Sequence, residues 1–198
     1  MRFEHFALRT ELLIRLREEL LGAPLTSEPG LCFLGPSCRL EVRHVDRGGK
    51  LLGPTHGELW FHPIRRSGEG APRIRLWTGL GPSGDPRIVA IHPRSTSVRS
   101  FHDAVNWLND PDTTVPGDIA SLATVVRFLW LPRYFLYLLG FVRVVGAAEE
   151  LIKVTPLTGP KRLFPPLESR SFLSVRRLEE HLRSTSDSWG ISWPIDQN

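Results

Sequence analysis

The chain has 198 residues, 41% of them hydrophobic and 23% charged, with a formal net charge of +4. That suits one globular domain, and a chain of this length buries a sizeable core without disulfide or metal staples. The two cysteines, Cys32 and Cys38, form no Cys-x-x-Cys pair, which argues against a thiolate zinc site. Arg2, Glu4, Arg9 and Glu11 stand where a secretory leader needs its apolar core, so a reducing, cytoplasmic setting is expected. Arginine supplies 22 of the 25 basic residues. The arginines are interleaved with acids and form no long run. A solvated basic surface is therefore the plain reading, and an Arg-rich accessory subunit of a nucleic-acid complex an unfavoured one.

Residues 3–21 carry Phe3, Phe6, Leu13, Leu16 and Leu20 near helical spacing, and Gly22 and Pro24 stop that predicted helix. Residues 23–37 read as a loop with one short strand over 31–34. A meander follows. Residues 38–45 alternate as a half-buried strand, and Asp46 to Gly49 turn the chain. Further strands are predicted over 57–65, 72–80 and 87–91, the last running into His92-Pro93.

Helices are expected next: 101–108, capped by Ser100 with Asp103 at the acidic position of a capping box, and one beginning at 116–118 with Ile119, Leu122, Val126 and Leu129 on one stripe. Val125 to Val145 is strongly apolar, but Arg127, Pro132, Arg133 and Arg143 interrupt it. Its longest charge-free piece, Tyr134 to Val142, is far short of the roughly 20 residues that span a bilayer. The plain reading is a buried helix pair bent at Pro132. The sharper one is an exposed face that docks a partner, with Trp130, Tyr134, Phe135 and Tyr137 as contact residues. Residues 155–168 read as a proline-rich arm and 171–183 as a final helix capped by Ser171 or Ser174. The tail is expected to anchor through Trp189 and Trp193. This order predicts an α+β fold of N-terminal helix, four-stranded antiparallel meander and C-terminal helices, with residues 1–153 as the domain and 154–198 packed on it.

Three segments are similar to one known family. Gly53-Pro54-Thr55-His56-Gly57-Glu58-Leu59-Trp60-Phe61, the proline-led Ala71-Pro72-Arg73-Ile74-Arg75-Leu76-Trp77-Thr78 and the corner His92-Pro93-Arg94 resemble the third strand, fourth strand and His-Pro-Asn signature of ubiquitin-conjugating enzymes. Trp107 and Pro116 resemble the residues ahead of that family's next helix. The likeness covers roughly residues 3–130. That family places its catalytic cysteine about ten positions beyond the signature histidine. Here that position holds His102, and Arg94 replaces the asparagine. The resemblance therefore implies an inactive variant, a binding or scaffold domain that recognises a protein partner such as a ubiquitin-like modifier, an activating enzyme or a complex subunit.

Two other readings stand beside it. His92 after a strand and before proline orders its loop. His102 with Asp103 offers an alternative, a His-based or metal-dependent enzyme that uses His92 and His102. No His-x-x-x-His spacing supports a metal, so no metal ligand is assigned and no cofactor is expected. The Gly-rich turn at 79–84 lacks the context of a phosphate loop, and hairpin turns explain it.

Overall fold

A computed structural model describes residues 2–3, 31–33, 37–54, 59–66, 74–80, 86–92, 95–121, 124–160, 168 and 170–189. Eleven strands among them form one mixed sheet. The first half holds β1 (Arg2–Phe3), β2 (Leu31–Phe33), β3 (Cys38–Val45), β4 (Leu51–Pro54), β5 (Leu59–Arg66), β6 (Ile74–Leu80) and β7 (Pro86–His92). β3, β5, β6 and β7 lie side by side and antiparallel, with β2 extending along β5 and β4 along the end of β3. The β6–β7 register slips between Trp77 and Thr78, leaving Val89 as the extra residue of a bulge.

Helix α1 (Thr96–Leu108) and the short α2 (Gly117–Ala120) lead to the second half: β8 (Thr124–Leu131), β9 (Leu136–Val145), β10 (Ala148–Thr158), β11 (Leu173–Ser174) and helix α3 (Val175–Trp189). β8 to β11 are antiparallel neighbours. The halves join where β3 and β8 run parallel, Arg39–Val42 against Arg127–Trp130. β1 adds parallel pairing to the start of β8, Arg2 against Val125.

This sheet corrects the expected ubiquitin-conjugating fold. That fold has a four-stranded meander followed by helices, whereas here the meander is one half of a larger mixed sheet. The segment 125–145 is a β-hairpin rather than a bent helix pair, because β-branched and aromatic residues fill a strand buried on both faces and erase the period of two. Pro132 starts the 3-10 turn that reverses the chain. Ile119 lies on a helix of four residues, while Val126 and Leu129 are strand residues. Residues 155–158 end β10 rather than begin an arm, and β10 runs across the boundary drawn at 153. α1 starts at Thr96 with Ser95 as its N-cap, so Ser100 lies inside the helix. Of the N-terminal helix expected over 3–21, Phe3 belongs to β1 and residues 4–21 lie outside the described residues, as do Pro93, Arg94 and Trp193.

Each face of the sheet carries a helix. On one, the α1 stripe Phe101, Ala104, Val105 and Leu108 packs on Leu40, Phe61, Val126, Phe128, Leu139 and Phe141. On the other, Leu178 and Leu182 of α3 pack on Leu129, Leu131, Tyr134, Leu136 and Leu138. Each such large side chain, fully buried, contributes about 1.5–3 kcal/mol. The Ser174 hydroxyl accepts the Arg177 N–H at the start of α3. At the β3–β4 turn, Gly49 has φ of 81°, and a Cβ there would lie 2.7 Å from that of Arg183. Glycine thus lets α3 sit against the turn, where Arg183 Nε donates to the Gly48 carbonyl at 2.7 Å.

The sheet is strongly curled toward α1. β6 and β9 are four strand steps apart, a separation of roughly 19 Å in a flat sheet. Yet Arg75 on β6 donates to the Tyr137 hydroxyl on β9 at 2.8 Å. Phe61 and Phe128, two steps apart, stack at 4.1 Å, and Phe101 of α1 meets both edge-on. Only a trough with α1 inside it brings these pairs together.

The α3 side of the joint carries buried charge. Arg127 on β8 is 1% exposed and Glu41 on β3 is 4% exposed. Their Nε and Oε1 atoms stand 3.4 Å apart, and Arg127 also donates to Glu149 of β10 at 3.0 Å. Arg43 closes on the second Glu41 oxygen at 2.6 and 2.8 Å. Glu41→Ala is expected to cost about 3–5 kcal/mol in urea unfolding, because it leaves Arg127 buried with half its compensation. Glu149→Ala, at a largely solvated carboxylate, is expected to cost about 1 kcal/mol or less. Equal losses would mean that solvent screens both partners alike.

Candidate functional site

The curl gathers rings around Arg75 where β6 faces β9, a cluster termed the mouth. Alternation along β6 puts Arg75 and Trp77 on the α1 side, and pairing with β7 sets His92 beside Arg75 and Ala90 beside Trp77. The other half contributes Trp130 and Tyr137, a cross-strand pair of β8 and β9. The Arg75 guanidinium carbon lies 4.6 Å from the Trp77 ring centre and 5.4 Å from that of Tyr137. Trp77 meets Trp130 at 5.1 Å and His92 at 6.1 Å, and Trp130 stacks on Tyr137 at 6.2 Å. Arg75 and Trp77 are buried, Trp130 and Tyr137 half-buried, and His92 exposed.

Several buried donors gather in this cluster. Arg75 Nε, Trp77 Nε1 and Trp130 Nε1 are buried N–H groups with no acceptor among the described residues. A buried donor without a partner costs about 1–3 kcal/mol, so three in one cluster are a costly arrangement for a mere core. No described carboxylate pairs with Arg75. Partial burial, and then the Arg75 charge, hold the His92 imidazole below its ordinary pKa, so it is neutral at pH 7. The mouth can thus donate hydrogen bonds, offer ring faces and hold a negative charge. It presents no nucleophile paired with a base.

The β8–β9 turn stands next to the mouth. Phe135 is 68% exposed and has φ of 47°, the left-handed region that costs a non-glycine residue roughly 1–2 kcal/mol. Arg133 beside it is exposed and makes no ion pair among the described residues. Tyr134 turns inward, 1% exposed, and its hydroxyl donates to the Leu182 carbonyl of α3 at 3.4 Å. Of the four contact residues expected from the apolar run, Trp130 and Tyr137 line the mouth, Phe135 projects beside it and Tyr134 anchors the turn.

No described contact links the two histidines. His102 lies on α1, 3.4 Å from the Asn106 amide and 3.8 Å from its neighbour Asp103, and no hydrogen bond, ion pair or ring contact joins it to His92. Among the described residues no group of three His, Cys, Asp or Glu side chains is placed to hold a metal. Trp107 is half-buried on α1 against Phe172, 4.9 Å away. Cys38 is fully buried in the core. No described helix is long and apolar enough to cross a membrane.

Sequence reasoning missed Arg75 and Trp77 as site residues. Their signal was an arginine and a tryptophan two apart on one face of an interior strand. His62 is 1% exposed and bridges the Ser37 hydroxyl at Nδ1 and the Thr78 hydroxyl at Nε2, each 2.8 Å away. Burial lowers its pKa from 6.5 to about 4. The unfolded imidazole therefore binds a proton that the folded one refuses, and this stability is lost as pH falls from 6.5 toward 4. The full loss is on the order of 3 kcal/mol. Urea midpoints followed across that range should drop steeply in the parent and more gently in His62→Gln; parallel slopes would assign the pH dependence to other groups.

Neither protein-family models, nor curated proteins, nor solved structures yield a match to this chain.

Proposed function

We propose that this chain is a non-enzymatic recognition domain that binds an acidic segment of a protein partner at the Arg75 mouth. The observation that carries this reading is the trio of buried N–H donors, Arg75 Nε, Trp77 Nε1 and Trp130 Nε1, gathered without an acceptor among the described residues. A carboxylate supplies acceptors and charge together, and a guanidinium is the side chain that binds it best. Half-buried Trp130 and Tyr137 form the rim beside the donors. The exposed Phe135 and the exposed Arg133 argue for a polypeptide rather than a small anion. They give an apolar and a basic contact outside the mouth, and the strain at Phe135 keeps a ring in solvent where glycine would rest without cost.

The test uses a labelled peptide of alternating Glu and Leu, its Gln-for-Glu counterpart and a single-stranded oligonucleotide, each titrated at several salt concentrations. The acidic peptide is expected to bind and the Gln peptide is not. Arg75→Gln should weaken binding about tenfold or more, the value of a charged hydrogen bond. Phe135→Gly should weaken it while raising the unfolding midpoint, since the glycine relieves the left-handed backbone. Equal binding of both peptides would sink the proposal. So would oligonucleotide binding that outcompetes the acidic peptide and falls steeply with salt, which would mark a nucleic-acid site instead.

A further inference from the structure

A second cleft lies along α1, away from the mouth. It has a volume of 220 Å³ and is lined by Asp103, Asn106, Trp107, Asp110 and Arg170. The first four recur at spacings of three, four and seven, one polar stripe of the helix and its C-terminal turn. The buried stripe Phe101, Ala104, Val105 and Leu108 has the same spacing on the opposite side. A polar stripe of this kind ordinarily faces bulk water. Here two features make it a cleft. The Trp107 ring is held against Phe172 and forms a rigid wall, and Arg170, sixty residues further along the chain, closes the other side.

Arg170 is the unusual element. It sits at φ of 65°, one of two non-glycine residues in the left-handed region among those described. It makes no hydrogen bond or ion pair with any described residue, although two carboxylates line the same cleft. Asp103 stands 4.0 Å from Arg99, a pair whose side chains are both largely solvated and so only weakly engaged. Asp110 Oδ1 accepts the Asp112 N–H at 3.0 Å. The lining therefore holds two anions and one cation, unneutralised by each other, beside an indole face.

We infer that this cleft binds a basic α-amino acid. Its charge inventory is the complement of the lining: the α-carboxylate to Arg170, the α-ammonium to one aspartate, the side-chain cation to the other. The aliphatic stem and cation lie along Trp107, where the ring face attracts positive charge. Asn106 can hydrogen-bond either the ammonium or the carboxylate. A cleft of 220 Å³ is smaller than the roughly 300–1,000 Å³ of drug-sized pockets, which favours a single amino acid over a peptide.

Calorimetric titration of the full chain with L-lysine and L-arginine tests this, with butylamine and acetate as one-charge controls. Saturable binding of at least one basic amino acid is expected, and neither control should match it. Asp103→Asn and Arg170→Gly should each weaken it about tenfold or more. Arg170→Gly should not lower the unfolding midpoint, since glycine adopts its backbone freely, so loss of binding there is not loss of fold. Acidic-peptide binding at the mouth should be unchanged in both variants, which separates this inference from the proposal for Arg75. No saturable binding to the parent, undiminished binding to Arg170→Gly, or butylamine binding as tightly as L-lysine would each overturn it.

Discussion

β3 and β8 pair in parallel over four residues, and nearly every other contact in the molecule presupposes that joint. It fuses two antiparallel halves, each of which would otherwise leave an apolar face half-covered. It also sets the direction in which the sheet curls, since α1 must pass from β7 to β8 across the concave side. Once the halves are joined, Phe61 meets Phe128 and Arg75 reaches Tyr137. The buried pair Arg127–Glu41 spans the same joint. A parallel seam needs both faces covered, and α1 and α3 cover them.

The two faces solve the problem of polar groups differently. On the α3 side, charge is met by charge, and the Ser37–His62–Thr78 chain is satisfied by hydroxyls at both nitrogens. On the α1 side, the mouth keeps donors without acceptors. Arg127 has two carboxylates beside it, whereas no described carboxylate pairs with Arg75. On the reading proposed above, an acceptor from outside would meet donors already held in place.

Legibility in the sequence followed burial. β3, β5, β6 and β7 were readable because glycine and proline punctuate them and their residues alternate. β8 was not, since no glycine or proline lies within Thr124–Leu131 and it is buried at seven of its eight positions. Arg127 then looked like an interruption of an apolar helix, although it is the centre of an ion network. The family resemblance failed for the same reason: spacing from His92 to His102 was right for a landmark but blind to the strands beyond it. Of the mouth, Trp130 and Tyr137 stood out as part of the apolar run. Arg75 did not, because the contact that gives it meaning lies 62 residues away and exists only once the sheet curls.

The bulge at Val89 has a further consequence. Among the described residues β7 is the outer strand on one side of the sheet, and such a strand is a template on which a second copy could pair. β7 begins with Pro86, which has no N–H to offer, followed by the exposed cation Arg87. Val89 then breaks the regular ladder midway. At the opposite margin β11 is two residues long. The same irregularity that sets Trp77 and Arg75 opposite Ala90 and His92 thus keeps the margin too broken for edge-to-edge growth.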